Sequence, residues 1–347
     1  MKQASIKSIA QALGISIGTV DRALHGRSRI SPSTRDLVLK KAAQLDYRPN
    51  VAARSLKLNR RLRIGVYSPR HIASFFDPLR AGVRAAASAI SNVNIDLDFR
   101  TFSRLDEGDV ELLSADSNQK FDGILITPGN PAHTESILLR LARKGVPIVC
   151  VADDSPRSER LACVTVDAYT SGAIAAELFS RTIQQTGRIA TFTGTLSILD
   201  HAEKLNGFAV SLSALAPGLT LLPAIESHGK PREAYLQTQK LLMSNPLPVG
   251  IYISTANSIP VLRALEERNL LGRIQVITTD LFPELSPYIQ SGKVLATLYQ
   301  RPFTQGKTAL DLLVFYLSVG QIPETITRLA PHIVLRSNLS LFNREDV

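Results

Sequence analysis

A chain of 347 residues, 44 % of them hydrophobic and 20 % charged, suits a small N-terminal module followed by a large core of one or two lobes. No apolar run approaches the ~20 residues that cross a bilayer, which argues against a helical membrane protein, and two cysteines are too few for a disulfide scaffold. The formal charge of +10 is gathered at one end: residues 1–63 carry 14 Lys and Arg against three acids (Asp21, Asp36 and Asp46), so the other 284 residues sum to about −1. A basic excess confined to one segment is the footprint of a polyanionic partner.

The stretch from Ser5 to Leu24 reads as two short helices joined by a tight turn at Gly14, Ile15 and Ser16. Ile6, Ile9, Ala10, Leu13, Val20 and Leu24 recur at helical spacing and give each helix one buried side. Ser5 and Ser16 suit the two N-caps. Such a pair cannot bury its own apolar faces, so a third helix is predicted over 34–45, with Leu37, Val38, Lys41, Ala42 and Leu45 one turn apart. The second helix, 17–24, then stands outward and is small enough to enter a major groove. Helix pairs with a glycine turn also occur in proteins that never touch DNA; the basic charge of this segment favours the helix-turn-helix reading. Arg27 and Arg29, in the polar loop that follows, are placed to meet phosphates.

Pro49 disfavours helix at Arg48 and marks a joint. Asn50 suits the cap of a short helix over 51–57, which would be marginal in water by itself. Asn59-Arg60-Arg61 connects to a region of different texture. From Leu62 onward, apolar runs of strand length (LRIGVYS, IDLDFRTF, FDGILIT, VPIVCVA, ACVTV) alternate with helical stretches such as 78–91 and 131–144. A second set follows: RIATFTG, LTLLPAIE, VGIYIS, IQVITTD and VLATLYQ. The alternation predicts parallel sheets covered by helices, in two similar lobes, with binding at the carboxyl ends of the strands. The chain has no GxxxxGK and no GxGxxG after a strand, so no nucleotide cofactor is expected. Cys150, inside VPIVCVA, reads as a buried thiol rather than a metal ligand. Lys2 and Lys7 are followed by neither a continuous apolar stretch nor a small-residue cleavage site, so a cytoplasmic protein is expected.

The runs IKSIAQALGISIGTVDRALHG and ISPSTRDLVLKKAAQLDYRPNVAARSLK closely resemble the headpiece of the LacI/GalR family of bacterial transcription regulators. The match is nearly continuous over 5–58, and the architecture behind it continues to about residue 340. The resemblance implies an all-α helix-turn-helix headpiece joined to an α/β two-lobed, periplasmic-binding-protein-like domain with parallel sheets and Rossmann-like lobes. The implied boundaries are 1–49 for the headpiece, 50–61 for a hinge helix and linker, 62–341 for the effector-binding and dimerisation domain, and 342–347 for a tail. The chain would cross between lobes near Asp167, Gln300 and Arg328. Within the headpiece, Ile17 and Gly18 match the family's principal base-reading positions. Ile17 suits a thymine methyl and Gly18 a close backbone approach, while Arg22 is the choice for a direct guanine contact. Asp21, where many members have Ser, either accepts from a cytosine or orients Arg22 or His25. Ser5, Ser16, Thr19, His25, Arg29, Ser31 and Arg35 would complete the DNA contacts. In the hinge, Asn50 and Ala53 would lie at the DNA, Ala52 and Ala53 would permit close helix pairing, and Leu56 would enter the minor groove as a wedge.

In the large domain the resemblance places an effector cleft among Phe75, Phe76, Asp153, Lys204, Asn257, Asp280 and Gln300. Rings stack on the apolar faces of a sugar, and carboxylates and amides meet its hydroxyls. Lys204 stands where the family has an Arg, which loses a bidentate fork, and Asp154 also departs from an Arg of several sugar-binding relatives. Each residue has a plainer alternative, as core for the Phe rings and helix caps for the acids. The implied effector is a sugar or cyclic polyol; a purine, or a phosphorylated sugar held by Lys204 and His201, stays open. The implied protein is a sequence-specific regulator, read as a repressor, that binds a near-palindromic double-stranded operator as a homodimer, without membrane or cofactor. Inducer against corepressor, and activation at some promoters, are left open. Two rival classes remain: a sugar-binding protein without a regulatory role, which the basic headpiece opposes, and an enzyme. Ser197, Asp200 and His201 suggest a catalytic set, but neighbours in one loop rarely converge on one point.

Overall fold

The computed structural model describes residues 6–24, 30–45, 61–91, 93–105 and 107–342. The first two stretches form α1 (Ile6–Leu13), α2 (Ile17–Leu24) and α3 (Pro32–Gln44). Gly14, at φ +65°, stops α1 in the left-handed region, and the Ile15 N–H returns to the Ala10 carbonyl at 3.2 Å, the six-to-one bond of a Schellman stop. Ser16 caps α2 by accepting the Thr19 N–H at 3.0 Å, and Ser31 caps α3 by accepting the Thr34 N–H at 3.2 Å. With Ser31 as cap and Pro32 at the first helical position, α3 begins two residues earlier than expected. Ile9, Ala10, Val20, Ala23, Val38 and Ala42 close a small core between the three helices. Leu37 does not join it: Val38 and Ala42 define the inward face, and the helical step turns Leu37 out to 52 % exposure. The expectations for Ser5, His25, Arg27, Arg29, the hinge residues Asn50, Ala52, Ala53 and Leu56, and the tail from 343 fall outside the described residues, as does the side chain of Asp21.

From Arg61 the chain builds two sheets. The first holds β1 (Arg61–Pro69), β2 (Asn94–Phe102), β3 (Gly123–Ile126), β4 (Ile148–Val151), β5 (Ala162–Val166) and, from far along the chain, β12 (Ile326–Leu329). Its order is β12-β5-β4-β3-β1-β2, parallel throughout. The second holds β6 (Gly187–Thr193), β7 (Leu219–Leu221), β8 (Ile225–Glu226), β9 (Gly250–Ile253), β10 (Gln275–Thr279), β11 (Ala296–Tyr299) and β13 (His332–Val334). Its order is β13-β11-β10-β9-β6-β7, with β8 also on β6, and only β13 runs antiparallel. The chain therefore passes between sheets after β5, after β11, and between β12 and β13. Central strands such as β3, β4 and β9 are buried at every residue, as sheets covered on both faces require. The run LTLLPAIE, expected as one strand, breaks into β7 and β8 at Leu222–Ala224, and Pro223, which cannot donate to a ladder, lies in that break.

The covering helices are α4 (Ala73–Ala89), α5 (Asp109–Ala115), α6 (Pro131–Arg143) and α12 (Pro302–Val319) on the first sheet. In the second lobe, α7 (Ala168–Thr182), α8 (Leu199–Leu215), α9 (Pro231–Leu241), α10 (Ser258–Glu267), α11 (Ser286–Gln290) and α13 (Leu339–Phe342) do the same. Each lobe has one helix pair in backbone contact. A Cβ on Gly82 would lie 2.0 Å from the Phe303 carbonyl oxygen, and one on Gly306 2.1 Å from that of Leu79, so α4 and α12 touch through two glycines. The same reciprocal arrangement joins α7 and α8, where Gly172 faces the Lys204 carbonyl and Gly207 that of Tyr169. This contact fixes the position of α8, which carries Asp200, His201 and Lys204. No described helix is long and apolar enough to cross a membrane.

Candidate functional site

Two surfaces carry chemistry. On the headpiece, α2 buries Val20 and Ala23 at 0 % and 1 % and presents Ile17 at 53 % exposure, with Ser16, Gly18 and Arg22 also exposed. The Arg22 Nε donates to the Gly18 carbonyl at 3.1 Å, which lays the guanidinium along the solvent face of the helix. Thr19 is half-buried and shares a 2.8 Å hydroxyl contact with Ser16. Arg35 is exposed on the first turn of α3, beside the cap Ser31. The face therefore pairs one apolar group and one arginine with several small polar groups.

The second surface is a small cavity of about 50 Å³ between the lobes. Ile72, Phe75 and Phe76 line it from the end of β1 and the start of α4, together with Leu105, Thr127, Ala152 and Asp153 from the same lobe. The opposite wall is Ile198, Asp200, His201 and Lys204 around the start of α8, with Ser254, Thr255, Ala256, Asp280 and Gln300 from strand ends. Six of the seven residues expected in an effector cleft thus line one cavity. Asn257 stands just outside, at the N-cap position of α10; its side chain makes no cap bond, and its Nδ2 is buried without a partner among the described residues.

Phe75 and Phe76 are packed edge to face, centroids 5.0 Å apart, and are both core and cleft wall. They sit inside α4, which begins at Ala73 and carries Pro78 within it rather than starting there as expected. Arg80 holds that end of the helix, donating to Ser68 Oγ at 2.8 Å and to the Pro69 carbonyl at 3.0 Å.

The opposite wall is a chain of polar contacts. Lys204, 1 % exposed, donates from Nζ to Asp200 Oδ2 at 2.6 Å and to Gln300 Oε1 at 2.7 Å. Gln300 passes the chain on through Nε2 to Asp280 Oδ1 at 2.9 Å. Across the cleft, Asp153 Oδ1 accepts the Asp154 N–H at 2.9 Å and, from the other lobe, the Asp200 N–H at 3.2 Å. Thr127 Oγ1, Asp153 Oδ2 and Asp200 Oδ1 are buried without a partner among the described residues. Burial, and secondarily the Asp200 charge, pushes the Asp153 carboxyl well above its ordinary range. Burial likewise lifts Asp280 to about 6, against the opposing pull of Lys204. His201, its Nδ1 on the Thr195 N–H at 3.1 Å, is shifted down by burial, and burial with the Arg104 charge brings His71 down to about 4. Asp154 is not a cleft-wall residue: it is paired with Arg160, whose Nη2 reaches its Oδ2 at 2.6 Å.

Backbone strain gathers at the same place. Ile72, Ala152, Asp280 and Arg301 all adopt positive φ, between 56° and 69°, at or just beyond strand ends that meet at the cleft. Left-handed non-glycine residues cost about 1–3 kcal/mol each and persist where surrounding structure holds them.

Against known families, residues 5–50 match "Bacterial regulatory proteins, lacI family" and residues 64–321 match "Periplasmic binding protein domain". The chain belongs to the LacI family of bacterial regulatory proteins. Its relatives include catabolite control protein A of Priestia megaterium, 26 % identical over 96 % of this chain and 98 % of that protein. The ribose operon repressor of Bacillus subtilis is 26 % identical over 93 % and 94 %, and the repressor PurR of Aliivibrio salmonicida 24 % over 97 % and 99 %. Among solved structures, the glucose-galactose binding protein GanP of Geobacillus stearothermophilus superposes with a TM-score of 0.75 at 21 % identity, covering 81 % of this chain and 99 % of that one. A solute-binding protein of Bacillus halodurans with bound myo-inositol does so at 0.73 and 17 %, covering 81 % and 96 %. These likenesses establish the two-lobed fold.

Within this LacI-family chain, sequence reasoning missed Ile72, Leu105, Thr127, Ile198, Ser254 and Thr255, which carry no periodic or charge signal. Asp200 and His201, which the sequence reading puts in a loop, lie on the first turn of α8, and both line the cleft. The suspected catalytic set does not assemble, since Ser197 is exposed, Asp200 is engaged by Lys204 and His201 by Thr195.

Proposed function

We propose that this protein is a DNA-binding transcriptional regulator, acting as a repressor, whose operator affinity is controlled by a small polyhydroxylated effector held between the lobes. The observation that carries the reading is the split of α2 into a fully buried side and an outward side bearing Ile17, Gly18 and Arg22. Such a helix suits the major groove, and Leu56 suits the minor-groove wedge of a hinge. The chain acts as a homodimer in the cytoplasm, on a near-palindromic site whose symmetry mirrors its own. The names of the relatives, a ribose operon repressor among them, support regulation, and sugar- and inositol-bound neighbours support a polyol effector.

The cleft supplies the coupling. Its walls belong to different lobes, so an effector changes the angle between them in proportion to its differential affinity for open and closed states. A phosphorylated effector is disfavoured here, because the Lys204 ammonium is already held by Asp200 and Gln300 and His201 is shifted towards its neutral form. The test is selection of duplex DNA by the full chain, followed by affinity measurements between ~50 and ~200 mM salt with and without sugars. Enrichment of a symmetric site, with a sugar-dependent Kd, is expected. A chain that binds sugar and selects no DNA would instead be a solute-binding protein.

A further inference from the structure

We infer that the cleft is built for a polyol carrying an amine, an amino sugar or amino cyclitol, whose ammonium docks where Asp153 and Asp200 meet. This rests on the polyol reading above and names the class within it. Three carboxylates, Asp153, Asp200 and Asp280, line the cavity against one ammonium, Lys204, and both histidines nearby, His71 and His201, are shifted by burial towards their neutral forms. Burial and the neighbouring Asp200 charge raise the Asp153 carboxyl, because these acids cannot all ionise at low cost beside a single ammonium; a bound cation supplies the missing charge and lets Asp153 ionise.

The unpartnered atoms point the same way. Among the described residues Asp153 Oδ2 and Asp200 Oδ1 have no donor, although Asp153 is only 4 % exposed, and the two residues are joined across the lobes by the Asp200 N–H on Asp153 Oδ1. Ionised carboxylates only accept, so the site asks its ligand for donors and for positive charge; an ammonium brings three donors and the charge. A second cavity, lined by Pro156, Thr165, Tyr169 and Glu203 among others, reaches the same two carboxylates from the far side. The charges facing it are balanced in part, Asp154 by Arg160 and Asp167 by Arg328 at 3.8 Å, while Glu203 adds a further negative group. Phe75 and Phe76 remain to take the apolar face of the ring.

The test is calorimetric titration of the full chain, near neutral pH, with matched pairs: D-glucosamine and D-glucose, D-galactosamine and D-galactose, D-mannosamine and D-mannose. D-glucose 6-phosphate is the anionic control. The expected result is at least one amino sugar bound ~10-fold or more tightly than its neutral partner. Asp153→Asn keeps the acceptor for the Asp200 N–H while removing a charge, and should collapse that preference, so that within the variant the amino sugar and its neutral partner bind with similar Kd. Asp200→Asn, which also releases the Lys204 charge, should reverse it. A neutral sugar bound as tightly as its amine would overturn the inference and leave the polyol reading standing, as would a preference that survives both variants. Tightest binding of the sugar phosphate would overturn it too, and a panel in which nothing binds takes the polyol reading down with it.

Discussion

Replacing Lys204 by Met removes a buried ammonium while keeping most of its length. The side chain is 1 % exposed and makes two charge-assisted bonds, 2.6 Å to Asp200 and 2.7 Å to Gln300. Deleting one partner of a buried pair costs about 3–5 kcal/mol, because the other charge is left in a poor solvent. Asp200 keeps 13 % of its side-chain surface in contact with solvent, which places the expected loss at the lower end, ~3 kcal/mol. For a lobe of this size that corresponds to a fall in Tm of roughly 6–12 °C. Urea and thermal unfolding followed by circular dichroism measure it, and Asp200→Asn in the same background closes a double-mutant cycle. Removing both charges should recover part of the loss, giving a coupling of at least ~1.5 kcal/mol. Lys204→Met within about 1 kcal/mol of the parent, or a cycle that simply adds, would show that the Lys204–Asp200 contact carries no net stability and that the cleft wall is held by packing alone.

The pH dependence has a definite sign. Asp280 titrates near 6 in the folded chain against 3.8 as a free group, so its contribution is fully present below about pH 4 and is lost as pH rises through 6. The stability difference between the parent and Asp280→Asn should therefore move by up to ~3 kcal/mol against the parent from pH 4 to pH 7.5, and a flat difference in urea titrations would remove Asp280 from its buried setting. His71 works oppositely: its folded value of about 4 against 6.5 makes its contribution present above pH 6.5 and lost as pH falls through 4, so His71→Gln should flatten the acid limb of the stability profile. Gly172→Ala forces a methyl into the Lys204 carbonyl, 1.9 Å away, and should cost about 1–3 kcal/mol while weakening effector binding; unchanged binding would mean that the α7–α8 contact does not set the cleft. Arg22→Ala should cost ~1–3 kcal/mol of operator binding and relax selectivity at one base position, whereas uniform weakening on all DNA would demote Arg22 to a phosphate contact.

Much of the headpiece was legible because local rules decide it. The turn at Gly14 and the cap Ser16 are short-range interactions between neighbours in the chain, and Ile9, Val20 and Val38 leave one way to close three helices; the cap Ser31, which starts α3 two residues before the apolar stripe, is a finding of the structure. Leu37 went astray because periodicity places a residue on a stripe to within one step of the helix, and one step separates inside from outside. The alternation of strands and helices likewise reveals two parallel sheets, since a strand buried on both faces reads as a continuous apolar run. The edge strands β12 and β13 escaped notice for the converse reason: half-exposed residues such as Arg328 and Ile333 leave no such run.

For the cleft, the sequence determined the chemical inventory and the tertiary structure determined its charge state and connectivity. Acids and amides at strand ends could be listed from the chain, because parallel sheets collect those ends along one edge. Which lobe each wall comes from, the transfer of Lys204 from a free cation to a partner of Asp200 and Gln300, and the meeting of Asp153 with the first turn of α8 depend on contacts 96 and 47 residues apart. So do the left-handed residues Ile72, Ala152 and Arg301, which no local preference would choose. Local propensity acts over a few residues, whereas burial and electrostatics act over ångströms, and only the folded chain converts one scale into the other.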